Sequence, residues 1–247
     1  MIDFNQLSPD LSQCAQANDD KTAARIHTLW QNFHCEKQLI KDYEQLFAQI
    51  NTAKWQKLYQ HWQAIKGNTD DEHALTEWLI ELFNALFNNP KLAQMPTVLV
   101  RGNGEPEYFP ASEHAPARIE FAHGFFQSAL HEISHWCVAG RERRTQNDFG
   151  YWYESDGRNE QTQAIFEQVE VIPQAIECLL SLALGRYFYV SQDNLNADFD
   201  TSKSTFAADV YAKASDYLNH PTSLPRDARR LLWVFLSLSQ PTFHQDI

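Results

Sequence analysis

His131-Glu132-Ile133-Ser134-His135 sits inside Gly124-Phe125-Phe126-Gln127-Ser128-Ala129-Leu130 and Trp136-Cys137-Val138-Ala139-Gly140. The run is free of proline, carries apolar side chains at Phe126, Leu130, Ile133, Cys137 and Val138, and ends on a glycine suited to a helix C-cap. A helix is expected here. On a helix, residues four apart stand one above the other, so the two imidazoles of this HExxH pattern point at one spot where a divalent metal can bridge them. Histidines left unpaired in so apolar a setting would be costly, which favours a metal site over a chance match.

Working outward, the segment before this helix predicts strands at 97–101, 107–109 and 118–122, with a turn at Gly102-Asn103-Gly104-Glu105-Pro106. Upstream of the strands, Asp71 to Asn88 predicts a helix with Leu75, Trp78, Leu79, Leu82, Phe83 and Leu86 inside, stopped by Asn88-Asn89-Pro90. The fold class expected is therefore α+β: a small mixed sheet packed by the HExxH helix and several other helices. Apolar residues recurring at three and four between Asp19 and Lys66 predict three further helices, an N-terminal all-helical extension. The turn Gly67-Asn68-Thr69-Asp70 divides the chain into an extension at 1–70 and a catalytic domain at 71–247.

Downstream, a long helix is expected from Arg158 to Leu184, bent at Pro173. Its apolar seam is Ile165, Val169, Ile172, Ile176, Leu179 and Ala183, with Gln163, Glu167, Glu170, Gln174 and Ser181 on the other face, either solvated or turned toward the metal. Between the two helices, Phe149-Gly150-Tyr151-Trp152-Tyr153 is aromatic enough for either a core or a substrate cleft. Two more helices are predicted near 205–218 and 225–239.

The chain has 247 residues, with 32 acidic against 20 basic side chains and a net charge of −12. That balance lacks the basic footprint of a nucleic-acid surface and suits a cationic partner. A hydrophobic fraction of 43 % is ample for a packed core. Cys14, Cys35, Cys137 and Cys178 show no CxxC spacing, so neither a zinc knuckle nor a disulfide framework is expected. The first residues lack the basic and apolar regions of a signal peptide, and no apolar run is long enough to cross a bilayer. A cytoplasmic, monomeric protein that binds neither membrane nor nucleic acid is the expectation.

Two histidines do not complete a catalytic metal site, which ordinarily takes three protein ligands. Glu170 and Glu167 are the candidates for the third. Glu170 is preferred because Gln174, one turn on, can hydrogen-bond it, whereas Glu167 has Val171 at that place. Glu160, Asp148 and His123 are more distant options. With zinc, such a site and Glu132 as general base make a metallopeptidase; with iron(II), the same ligands leave positions open for oxygen and substrate, as in a hydroxylase. Spacing alone leaves both open. A binding module with a structural metal is disfavoured, since structural zinc sites are closed by four Cys or His ligands.

Longer strings go further than HExxH. Phe121-Ala122-His123-Gly124-Phe125, Ala129 through Gly140, Asp148 through Tyr153, Asp156-Gly157-Arg158, Phe166 through Val171 and Pro173-Gln174-Ala175 resemble the elongation factor P hydroxylase family (EpmC, formerly YfcM). Val190-Ser191 and Asp193-Asn194-Leu195 are similar to it as well, and the likeness runs from about Leu75 to the C-terminus. The resemblance implies a fold like that of a bacterial metal-dependent ribonuclease, YbeY. It also implies an Fe(II)-dependent hydroxylase that uses molecular oxygen on a β-lysylated lysine of translation elongation factor P. By position it makes His131 and His135 metal ligands with Glu170 or Glu167, and leaves Glu132 to support the ligands or meet a substrate amine.

Overall fold

The computed structural model describes residues 29, 31, 45, 46, 48–67, 71–91, 93, 95–151, 157–194, 196–201 and 204–239. Its elements are α1 (Thr52–Ile65), α2 (Glu72–Phe87), β1 (Thr97–Arg101), β2 (Glu107–Phe109), β3 (Ala117–Phe121), α3 (Phe126–Arg143), α4 (Glu160–Ala183), α5 (Phe206–Asn219) and α6 (Arg226–Ser239). The class is α+β. Apart from α1 and isolated positions such as the buried Leu29 and Leu46, the expected three-helix extension lies outside the described residues, as do Trp152 and Tyr153 of the aromatic stretch.

The strands form a mixed sheet in the order β1-β3-β2, parallel between β1 and β3 and antiparallel between β3 and β2. Register places Leu99, Ile119 and Tyr108 in one row across the sheet, all three buried. Period-2 alternation thus turns one face to the core, against which α2 and α3 pack. Trp136 of α3 joins these layers. Its ring meets Phe83 and Phe87 of α2 edge-on, at centroid distances of 5.2 and 4.8 Å, and its indole N–H donates to Thr97 Oγ1 on β1. Burying that face leaves the opposite face of α3, with Gln127, His131, Glu132 and His135, only half covered.

Both ends of α3 are fixed by residues distant in sequence. Phe125 at the N-cap has no side chain to cap with, and Glu72 from the first turn of α2 accepts from the Phe126 amide instead. Just before it, Gly124 has φ 72°, and a Cβ there would collide with the Arg101 guanidinium, which donates to the Gly124 carbonyl at 2.7 Å. At the other end, Gly140 interrupts the helix with φ 65° and ψ −176°, yet one more turn follows, so the glycine marks a kink inside α3 and not its end. The kink frees the Trp136 carbonyl. Arg144 donates to it through Nε and Nη2, stacks 3.5 Å over the Trp136 ring, and pairs with the buried Asp227 of α6.

Helix α4 runs unbroken through Pro173 and packs on α3, α5 and α6. Here the structure corrects the expected seam. Ile176, Leu179 and Ala183 are buried, but Ile165 is 63 % exposed, with Val169 and Ile172 exposed as well, while Gln163, Glu170, Gln174, Glu177 and Ser181 are buried. The polar face is the one turned inward, because it meets α3 and the loop at 190–194.

Helix α1 belongs to the same core. Trp62 packs on Trp78 of α2 at 4.5 Å, the Trp78 indole donates to the Leu58 carbonyl, and Gln63 reaches the Leu238 carbonyl at the end of α6.

Candidate metal centre

His131 and His135 lie one turn apart on the half-covered face of α3, and Glu170 faces them from α4. Their Nε2 atoms are 3.1 Å apart; Glu170 Oε1 is 3.1 Å from His135 Nε2, and its Oε2 is 3.7 Å from His131 Nε2. Metal–nitrogen and metal–oxygen bonds of roughly 2.1 Å place neighbouring ligand atoms about 3 Å apart, so one ion between the three fits these separations. Two imidazoles and one carboxylate are donors that suit zinc or iron(II). Among the described residues this is the one trio of His, Cys, Asp or Glu whose ligand atoms converge so.

Glu170 is held in place by Gln174, which donates to Oε2 at 3.3 Å and is itself fixed by two bonds to the Ser191 backbone. Burial opposes the Glu170 charge, but His135, through charge and hydrogen bond, with His131 and Gln174, outweighs it and draws the carboxyl down to about 2. Glu167 points elsewhere: Ser204 donates to its Oε2 at 2.8 Å and Gln163 to its Oε1. Of the more distant options, Asp148 accepts from the Tyr108 amide, His123 is exposed with φ 55°, and Glu160 is exposed in the first turn of α4; none joins the trio.

One further carboxylate enters from α4. Glu177 Oε2 lies 2.9 Å from His131 Nδ1, and its Oε1 accepts from Gln127 Nε2 at 2.6 Å. Burial disfavours a charged His131, yet the hydrogen bond and charge of Glu177, with Glu170 and Glu132, raise its pKa to about 10 in the metal-free protein. The signal in the sequence is faint: Glu177 follows Glu170 by two turns and Gln127 precedes His131 by one, placing all four on facing helix stripes.

Glu132 makes no hydrogen bond or ion pair with another described residue. Burial raises its pKa, partly countered by His131 and His135. It is a carboxyl beside the trio and free to meet another molecule.

An α+β protein whose helices α3 and α4 bring two imidazoles and a carboxylate to one point is the class that fold and site define. The chain belongs to the elongation factor P hydroxylase (EpmC) family, whose model matches residues 82–244. Among curated relatives, a Haemophilus influenzae protein named elongation factor P lysine hydroxylase is 45 % identical over 161 residues, which cover 65 % of this chain and 86 % of that protein. The matched stretch opens inside α2 and contains every residue of the site; α1 precedes it.

Proposed function

We propose that this chain hydroxylates a lysine side chain of translation elongation factor P, with iron(II) held by His131, His135 and Glu170. The observation that carries the reading is the convergence of those three donors within the stretch that matches the family. Bound iron(II) supplies the redox chemistry by which one atom of molecular oxygen enters a C–H bond, while a two-electron reductant and two protons take the other atom to water. The protein's own groups bind and orient. Glu170, ionised and tied to Gln174, brings one negative charge to the ion, and two neutral imidazoles leave the centre a net cation. Glu132, whose side chain has no hydrogen-bond or ion-pair partner among the described residues, meets the ammonium of the substrate arm, a β-lysylated lysine, and the net charge of −12 favours approach of such a cationic arm.

The chemistry is assigned to residues 71–247, in a cytoplasmic protein acting as a monomer. No helix among the described residues is long and apolar enough to cross a membrane. Helix α1 serves as packing for α2 and α6. A chain starting at Asp71 loses the cover of Trp78, and it is expected to melt earlier but to bind the same amount of metal per folded molecule.

Purified protein loaded anaerobically with iron(II), then given air, a reductant and β-lysylated elongation factor P, adds one oxygen atom to the intact factor, read by mass spectrometry. Zinc inhibits. Peptide cleavage by zinc-loaded protein without oxygen, together with an unchanged mass of the factor under iron and air, replaces this reading with a metallopeptidase in which Glu132 is the general base.

A further inference from the structure

Glu177 is a buried carboxylate with neither Lys nor Arg to balance it among the described residues. Its surroundings on α4 are Cys178, Leu179 and Leu180, all buried, where an apolar side chain would pack without cost to solvation. The polar contacts it does have all lead to one place. Oε1 takes the Gln127 amide at 2.6 Å, that amide also reaches Ser181 Oγ at 3.1 Å, and Oε2 lies 2.9 Å from His131 Nδ1. Ser181, Glu177 and Gln127 thus form a rigid bracket spanning α3 and α4, ending on one ring nitrogen.

A histidine with a carboxylate at Nδ1 carries its proton there, which leaves the Nε2 lone pair for a metal and makes that nitrogen a stronger donor. His131 Nε2 faces His135 Nε2 and Glu170, so the proton sits on the far side of the ring from the three donors. His135 has no such bracket: its hydrogen bonds and ion pairs among the described residues all pass through Nε2. The two histidines are therefore unequal, one clamped and one adjustable. We propose that Glu177, set by Gln127 and Ser181, is a positioning residue that fixes the tautomer and ring orientation of His131 for metal binding. This rests on the reading that the trio holds a metal.

The test uses the full-length protein, stripped of metal and titrated with cobalt(II) against a chelator, with 15N NMR of the His131 ring in the metal-free state followed to pH above about 10, where the ring is neutral and its tautomer is read. Glu177→Leu is expected to weaken cobalt binding about 10- to 100-fold and to move the His131 ring nitrogens away from the Nδ1–H pattern. Glu177→Gln, which still accepts from Nδ1–H, recovers most of the affinity and keeps the pattern. A merely structural role would lower the melting temperature and leave the tautomer alone. If Glu177→Leu does not fold, Gln127→Leu decides, with a several-fold loss of affinity and a shift of the same nitrogens expected. Unchanged cobalt affinity and unchanged ring shifts in a folded Glu177→Leu, or in Gln127→Leu where that variant decides, overturn the proposal. Should the wild-type protein bind no cobalt, the metal reading fails, and the ring shifts alone still decide whether Glu177 holds His131.

Discussion

The two halves of α4 obey opposite rules. From Pro173 to Ala183 every residue is buried, apolar and polar alike, between α3, α5 and α6. From Glu160 to Ile172 the helix buries Gln163 and Glu170 and leaves Ile165, Val169 and Ile172 exposed. A helix that only had to pack would rotate the isoleucines inward, at a gain of roughly 1.5–3 kcal/mol for each fully buried side chain. It does not, because the C-terminal half has already fixed the rotation: Ile176 and Leu179 lock into the core, and Glu170 and Gln163 then fall on the face toward α3 and the 190–194 loop.

Removing the inward polar group in the first half gives the largest expected effect. Glu170→Ala, or His135→Ala on the facing helix, abolishes metal binding and hydroxylation, while the thermal transition of the metal-free protein stays cooperative because the apolar core is untouched. Metal content after dialysis and the mass of the factor after turnover read the two losses. Full metal occupancy in both variants would break the comparison, since the buried polar face would then have no metal to serve.

In the second half the same kind of truncation should act on stability alone. Leu179 is 1 % exposed, and Leu179→Ala is expected to cost about 2–5 kcal/mol in denaturant unfolding with metal affinity unchanged per folded molecule. A lost metal with little lost stability would show that the halves are not separate in role.

These differences also explain what could be read from the chain alone. From Thr52 onward the helices and strands are legible because their apolar spacings are regular: β1 and β2 fall at 97–101 and 107–109 as expected, and β3 one residue earlier than expected. His131 and His135 were legible from a five-residue pattern, and Glu170 was preferred through Gln174, which in the structure donates to it. The seam of α4 departs from expectation in its first half because helical periodicity says which residues share a face, and only tertiary contacts say which face goes in. Glu177 leaves little trace in the sequence for a related reason. Its partner Gln127 is on another helix, and no spacing along one helix reports a contact between two.

A third polar cluster sharpens the comparison from outside α4. At the far end of α3, the Tyr108 hydroxyl donates to the Arg144 carbonyl at 2.8 Å beside the Arg144–Asp227 pair, and all three residues are buried. Burial raises the Tyr108 pKa to about 12, against the lowering influence of Arg144. The folded pKa lies above the unfolded value near 10, so the neutral phenol contributes stability in full below pH about 10, and the contribution falls away as pH rises through about 12. Tyr108→Phe, which cannot ionise, is expected to remove roughly 2–3 kcal/mol of alkaline sensitivity between those limits. Unfolding free energies across that range, compared between the two proteins, check it; identical slopes would place Tyr108 in contact with water.

The smallest effect belongs to the exposed stripe, and it is the most direct check on the orientation of α4. Ile165 at 63 % exposed has little left to lose by becoming polar, and substitutions at such surface positions stay within about 0.5 kcal/mol. Ile165→Ser and Val169→Ser are therefore expected to leave both the unfolding midpoint and metal affinity where they were. Had the apolar seam been inward along its whole length, each change would bury a hydroxyl in place of packed methyl groups and cost several times more. A destabilisation above about 2 kcal/mol at Ile165 would mean that another part of the chain covers the stripe, and the first half of α4 would then follow the same rule as the second.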